Sequence, residues 1–169
     1  MERKDVVTFG GKPVTLAGNE IKVGDTAENF TVLNNELNEV NLSDYSGEVV
    51  ILSVLPSLDT PVCELQTKKF NEEASSLNAK VLTISMDLPF AQKRFCDSYK
   101  TGNVITLSDF RDRDFGNKYG LYIKELGLLA RSVFVIGKDL KITYMEIVKE
   151  IAEQPDYAMA IEAAKKAGA

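Results

Sequence analysis

Residues Val49 to Val54 read VVILSV, an almost unbroken run of β-branched and aliphatic side chains. A strand without polar alternation must be covered on both faces, which happens inside a sheet flanked by helices. Extended to Leu55, the run is the most apolar stretch of the chain, yet far shorter than the ~20 residues of a membrane-spanning helix. It therefore reads as a core strand of an α/β protein, and no membrane partner is expected.

The spacing changes directly after this strand. Val62, Leu65, Phe70, Ala74 and Leu77 recur at helical intervals and predict a helix over Pro61 to Leu77 with those residues inward. Lys80 to Met86 reads as strand, Leu88, Ala91, Phe95 and Tyr99 mark a second helix, Val104 to Leu107 a strand and Asp112 to Tyr119 a short helix. Arg131 to Ile136 and Lys141 to Val148 flank the turn sequence Gly137-Lys138-Asp139, which predicts an antiparallel pair. Gln154-Pro155 opens a last amphipathic helix with Tyr157, Ile161 and Ala164 inward. Ahead of all this, Val6 to Phe9 and Val14 to Leu16 flank Gly10-Gly11 and predict a hairpin, with Pro13 putting its second arm at a sheet edge. Phe30 to Leu33 and Glu39 to Leu42 look like further extended pieces.

The order βαβα followed by ββα predicts a thioredoxin-like α/β fold, with a central mixed sheet flanked by helices and an added N-terminal β-hairpin. No repeat or linker divides the chain, so a single domain over residues 1–169 is expected. Right-handed crossovers place the N-termini of both long helices at the carboxyl edge of the sheet, where α/β proteins bind ligands.

Composition narrows the chemistry available at that edge. The chain has no histidine and two cysteines, which excludes a Ser-His-Asp or Cys-His pair, a zinc-binding HExxH helix and a four-cysteine metal site; no cofactor or metal is expected. A net charge of −5 offers no broad basic face for nucleic acid. The start, MERKDVVTFGGK, lacks the apolar run of a signal peptide, so a cytoplasmic, reducing location is expected, where cysteines are thiols with a chemical task rather than permanent bridges.

The edge after the buried strand reads Pro56-Ser57-Leu58-Asp59-Thr60-Pro61-Val62-Cys63. Thr60 is a good N-cap and Pro61 a good first helical residue, so Cys63 falls at the N3 position, at the positive end of a helix that favours thiolate. Plainer readings stay open on spacing alone. A cysteine can be a small buried hydrophobe, Pro56 an ordinary loop residue, Cys96 beside Phe95 a core residue of its helix, and Arg131 a surface cation at a strand end.

The string Pro56-x-x-x-Thr60-x-x-Cys63 resembles the active-site loop of peroxiredoxins. PSLDTPVC, a second cysteine in the next helix and then ARSVFVI together resemble the thiol peroxidase branch of the atypical two-cysteine peroxiredoxins, over essentially the whole chain. Glu64 stands where typical two-cysteine members have proline, no late cysteine exists, and Lys68 stands where the bacterioferritin-comigratory type often has its second cysteine. The resemblance implies that Cys63 is the peroxidatic thiolate and that Thr60 offers its hydroxyl to the sulfur and to peroxide oxygen. It further implies that Arg131 holds the thiolate and stabilises the leaving oxygen, while Pro56 and Pro61 shape the loop. Cys96 would be the resolving thiol, forming an intrachain disulfide with Cys63 that thioredoxin reduces. Hydrogen peroxide and organic hydroperoxides would be substrates, and a homodimer the assembly.

Helix positions set a condition on that disulfide. Cys96 lies about eight residues, hence ~12 Å, along its helix, whereas disulfide-bonded Cα atoms lie within about 7 Å. Closing the bond is therefore expected to require local unwinding around Cys96. Other functions fit the same fold: a non-enzymatic binding module, a peroxide sensor, or a disulfide carrier. The carrier is disfavoured because position 66, where its second cysteine belongs, is Gln.

Overall fold

The computed structural model describes residues 1–168. Its main sheet has seven strands in the order β11 (Ile142–Ile147), β10 (Ser132–Ile136), β5 (Val49–Val54), β6 (Ala79–Ser85), β7 (Val104–Ser108), β3 (Thr31–Leu33) and β4 (Glu39–Asn41). Strands β5, β6 and β7 are parallel; on one side β10 pairs antiparallel with β5, and β11 pairs antiparallel with β10. Helices α1 (Pro61–Ala74), α2 (Pro89–Tyr99), α3 (Asp114–Tyr119) and α4 (Tyr157–Gly168) complete the thioredoxin-like arrangement. A smaller sheet, β1 (Glu2–Phe9), β2 (Lys12–Ala17), β8 (Tyr122–Ile123) and β9 (Leu128–Leu129), carries the N-terminal hairpin.

The alternation of side chains explains why β5 is apolar throughout. Val49 and Ile51 enter one cluster with Phe70, Ala74, Val81, Val133 and Ala160, beneath α1 and α4. Val50, Leu52 and Val54 enter the opposite one, with Leu16, Phe30, Phe115, Tyr119 and Phe134. All six residues of the strand are buried.

Three expectations need correction. Leu65 is 51% exposed and Leu88 50%, so neither belongs to an inward face, and Tyr99 is also largely exposed. The inward residues are Cys63, Gln66, Thr67, Phe70 and Ala74 in α1, and Pro89, Gln92 and Phe95 in α2. Both helices start at strand ends, where backbone groups need partners, so polar side chains take the positions that hydropathy assigns to leucine. Second, β2 lies between β1 and β8 rather than at an edge. Because β8 pairs only with Leu16 and Ala17, Pro13 keeps a free outer side, which suits a residue without an N–H. Third, β4 ends at Asn41, and Leu42–Tyr45 forms a 3-10 turn in which Asp44 accepts from the Asn41 N–H. Strands β8 and β9 are too short for any periodicity to announce them.

The hairpin is docked by a carboxylate. Glu150 accepts hydrogen bonds from the N–H groups of Gly10, Gly11 and Ala152 and from the Thr8 hydroxyl. Gly10 and Gly11 both have positive φ, which lets successive amides turn toward one acceptor. Thr8 continues the contact through backbone bonds to Lys149 and Ile151.

Candidate active site

Strand β5 hands the chain to a tight loop in which Pro56 and Leu58 are buried. Thr60 has extended backbone angles, φ −101° and ψ 147°, and its hydroxyl oxygen accepts from the Cys63 N–H at 3.3 Å. This is the expected cap, followed by Pro61 at the first helical position. The Thr60 hydroxyl hydrogen goes to the Ser57 carbonyl, 3.2 Å away, so in this state it braces the loop rather than addressing the sulfur.

Cys63 is fully buried, in a small apolar cluster with Leu55, Leu58 and Phe95. Arg131, 68 residues on and immediately before β10, reaches it. The pairing of Ser132 with Val54 puts Arg131 level with the end of β5, and its Nη2 donates to Cys63 Sγ at 3.1 Å. Its Nε donates to the Ile151 carbonyl at 2.7 Å and its Nη1 to Gln66 Oε1 at 2.8 Å. The Gln66 amide nitrogen is in turn fixed by Ser53 Oγ at 2.8 Å.

Arg131 is only 2% exposed, and among the described residues no carboxylate pairs with it. Its acceptors are a carbonyl, an amide oxygen and a sulfur. Only the sulfur can carry the negative charge that a buried guanidinium needs beside it. The arrangement can hold an anionic sulfur, or an oxygen anion next to it, away from bulk water.

Gln66 and Ser53 were not anticipated as site residues. Two signals were available: Gln66 lies one turn after Cys63 on the same helical face, and Ser53 is the one polar break in VVILSV. Among the described residues, the Tyr157 hydroxyl is buried without a partner. Burial, opposed by Arg131 and reinforced by Cys63, pushes its pKa up to about 12, so it stays neutral.

Cys96 is not brought to Cys63. Both cysteines are free, and Cys96 is half-buried with its Sγ 3.4 Å from Thr106 Oγ1 on β7. Thr106 gives its own hydroxyl hydrogen to Asn35 Oδ1, so the hydrogen between Cys96 and Thr106 comes from the thiol. Phe95, the neighbour of Cys96, fills the apolar cluster around Cys63 instead.

Residues 22–161 match the Redoxin family model. The chain belongs to the Redoxin family. Within it, the chain is similar to thiol peroxidases: it is 60% identical over 162 residues to that of Listeria innocua, covering 95% of this chain and 98% of the relative. With the thiol peroxidase of Bacillus subtilis it shares 56% identity over 160 residues, 94% of this chain and 96% of the relative. Among solved structures, a peroxiredoxin-like protein from Aquifex aeolicus superposes with a TM-score of 0.91 at 45% identity, over 98% of this chain and 97% of that one. The Redoxin match begins after the hairpin, whereas these relatives extend over nearly the whole chain.

Proposed function

We propose that the protein is a thioredoxin-dependent thiol peroxidase acting on hydrogen peroxide and organic hydroperoxides through Cys63. The observation that carries this reading is the buried Arg131 guanidinium, which donates to Cys63 Sγ and has no carboxylate beside it. The Cys63 thiolate attacks one peroxide oxygen: an S–O bond forms, the O–O bond breaks, and the departing alkoxide or hydroxide takes a proton to leave as alcohol or water. Arg131 stabilises the negative charge as it moves from sulfur to the departing oxygen. Gln66 and Ile151 keep the guanidinium aimed.

Cys96 is the resolving thiol in this scheme. Its sulfur attacks the Cys63 sulfenic acid, an S–S bond forms and water departs; the dithiol of thioredoxin then reduces the bond by exchange. Thiols supply both electrons, so no cofactor or metal is required. Because Cys96 is bonded to Thr106 and Phe95 stands next to Cys63, this step requires the start of α1 and the Cys96 turn of α2 to move. Thr60 caps the helix, and Pro56 shapes the loop that shields the sulfur. We place this chemistry in one domain, residues 1–169, of a cytoplasmic homodimer, with neither nucleic acid nor membrane as partner.

Thioredoxin-coupled peroxide turnover tests the scheme. Cys63→Ser should abolish turnover. Cys96→Ser should react once, accumulate a sulfenic acid that a dione probe traps, and lose efficient recycling. Normal steady-state turnover by Cys63→Ser rejects the mechanism.

A further inference from the structure

The geometry points to Asp87 as a positioning residue, a latch through which the Cys63 loop and the start of the Cys96 helix hold each other closed and open together. The inference rests on the reaction proposed above.

Asp87 stands between Ser85, the last residue of β6, and Leu88, which precedes α2 and makes no side-chain capping bond. Local chemistry would turn an aspartate at such a place toward its own helix start. Asp87 instead directs both oxygens to the connection after β5. Its Oδ1 accepts from Ser57 Oγ at 2.8 Å, and its Oδ2 accepts from the Leu58 N–H at 2.8 Å and from Ser85 Oγ at 2.8 Å.

The bonds continue on both sides. The Ser57 carbonyl accepts from the Thr60 hydroxyl, whose oxygen accepts from the Cys63 N–H, and Leu58 packs beside the Cys63 sulfur. Toward α2, Ser85 Oγ accepts from the Gln92 amide at 3.0 Å, and Gln92 also donates to the Leu107 carbonyl at 2.8 Å. The Asp87 carbonyl accepts from the Ser108 hydroxyl on β7. One carboxylate therefore ties the peroxide-reacting loop to the anchored start of the helix that bears the second cysteine.

The two halves of the reaction need opposite states of this tie. Attack on peroxide needs Cys63 seated beside Arg131, with the loop closed. Disulfide formation needs the Cys63 and Cys96 segments released from the positions in which their sulfurs face different partners. Weakening the latch shifts the population toward the open form, so it slows the first step and speeds the second. A merely structural residue would slow both.

Asp87→Asn keeps one acceptor oxygen but sets an NH2 against a donor, and Ser57→Ala removes one bond of the set. The protein has no tryptophan, so rapid quench with thiol alkylation and intact mass is the readout. In a Cys96→Ser background, Asp87→Asn should form the Cys63 sulfenic acid measurably more slowly, because losing one charge-assisted hydrogen bond moves the closed-to-open ratio by about tenfold. With Cys96 present, condensation to the disulfide should be faster than in the parent. Ser57→Ala should move both rates in the same directions by less. In the reduced Asp87→Asn protein, amides of residues 57–63 and 86–96 should exchange with solvent faster, as one unit. Slowing of both steps, a change in only one, or faster exchange in only one segment overturns the latch. If the parent forms no Cys63 sulfenic acid at all, the reaction itself is rejected, and the exchange experiment alone decides the latch.

Discussion

Burying the Arg131 guanidinium costs on the order of several kcal/mol unless its donors and its charge are answered. The fold answers the donors with Ile151, Gln66 and Cys63 and sets no carboxylate beside the charge among the described residues. Arg131→Ala should therefore slow the peroxide step by about two orders of magnitude, the usual effect of deleting one donor aimed at developing charge. Stability should fall by about 1–3 kcal/mol, because Gln66 and Ile151 lose a buried donor. Arg131→Lys should not restore the rate, since an ammonium cannot present three fixed donors in one plane. Competition kinetics for peroxide and denaturant unfolding check both statements, while thioredoxin reduction of preformed disulfide should change little. At this scale Cys63 and its cap were legible, because Thr60-Pro61 is a local signal. Gln66 was not, because its task is defined by Ser53 and Arg131, distant along the chain.

Among elements, the N-terminal hairpin has a route to the site. Glu150 gathers the turn amides, Thr8 pairs with Ile151, and the Ile151 carbonyl holds Arg131 Nε. Glu150→Ala should loosen the hairpin and blur the aim of the guanidinium. Hydrogen exchange should rise along Val6–Ala17, and Cys63 should react more slowly with peroxide, although Glu150 touches neither Cys63 nor Arg131. Unchanged reactivity alongside faster hairpin exchange would separate the hairpin from the site. Element order and the β5 core were readable because burial on both faces leaves a continuous apolar signature. The inward faces of α1 and α2 were misread at Leu65 and Leu88, because hydropathy cannot foresee that strand ends and a buried guanidinium require Gln66 and Gln92 there.

For the whole molecule, one buried carboxylate shapes the acid response. Asp109 accepts from the N–H groups of Phe115 and Gly116. Burial, only partly offset by those bonds, pushes its pKa up to about 6. In the unfolded chain the group titrates near 3.9, so between about pH 4 and 6 the native state binds the extra proton. Stability from this group therefore rises as pH falls from 6 to 4, by at most about 3 kcal/mol. Asp109→Asn lacks that proton, so the stability of the parent relative to the variant should grow over the same window in urea titrations. A pH-independent difference would contradict the assignment.

The sequence by itself determined the order of the main strands and helices apart from β8 and β9, the fully buried β5 and the placement of Cys63 in a capped first turn, because each depends on residues close together in the chain. It also excluded any chemistry that needs an imidazole, leaving thiols, carboxylates, hydroxyls or bound ligands. Only the tertiary structure decided that the pairing of β10 with β5 lifts Arg131 to the sulfur, and that Gln66, Ser53 and Ile151 hold it there. It alone turned Cys96 toward Thr106 and Asp87 toward the other cysteine's loop. Those choices depend on strand register and on which polar atoms lack partners once the core has closed, and neither is written in any local stretch of residues.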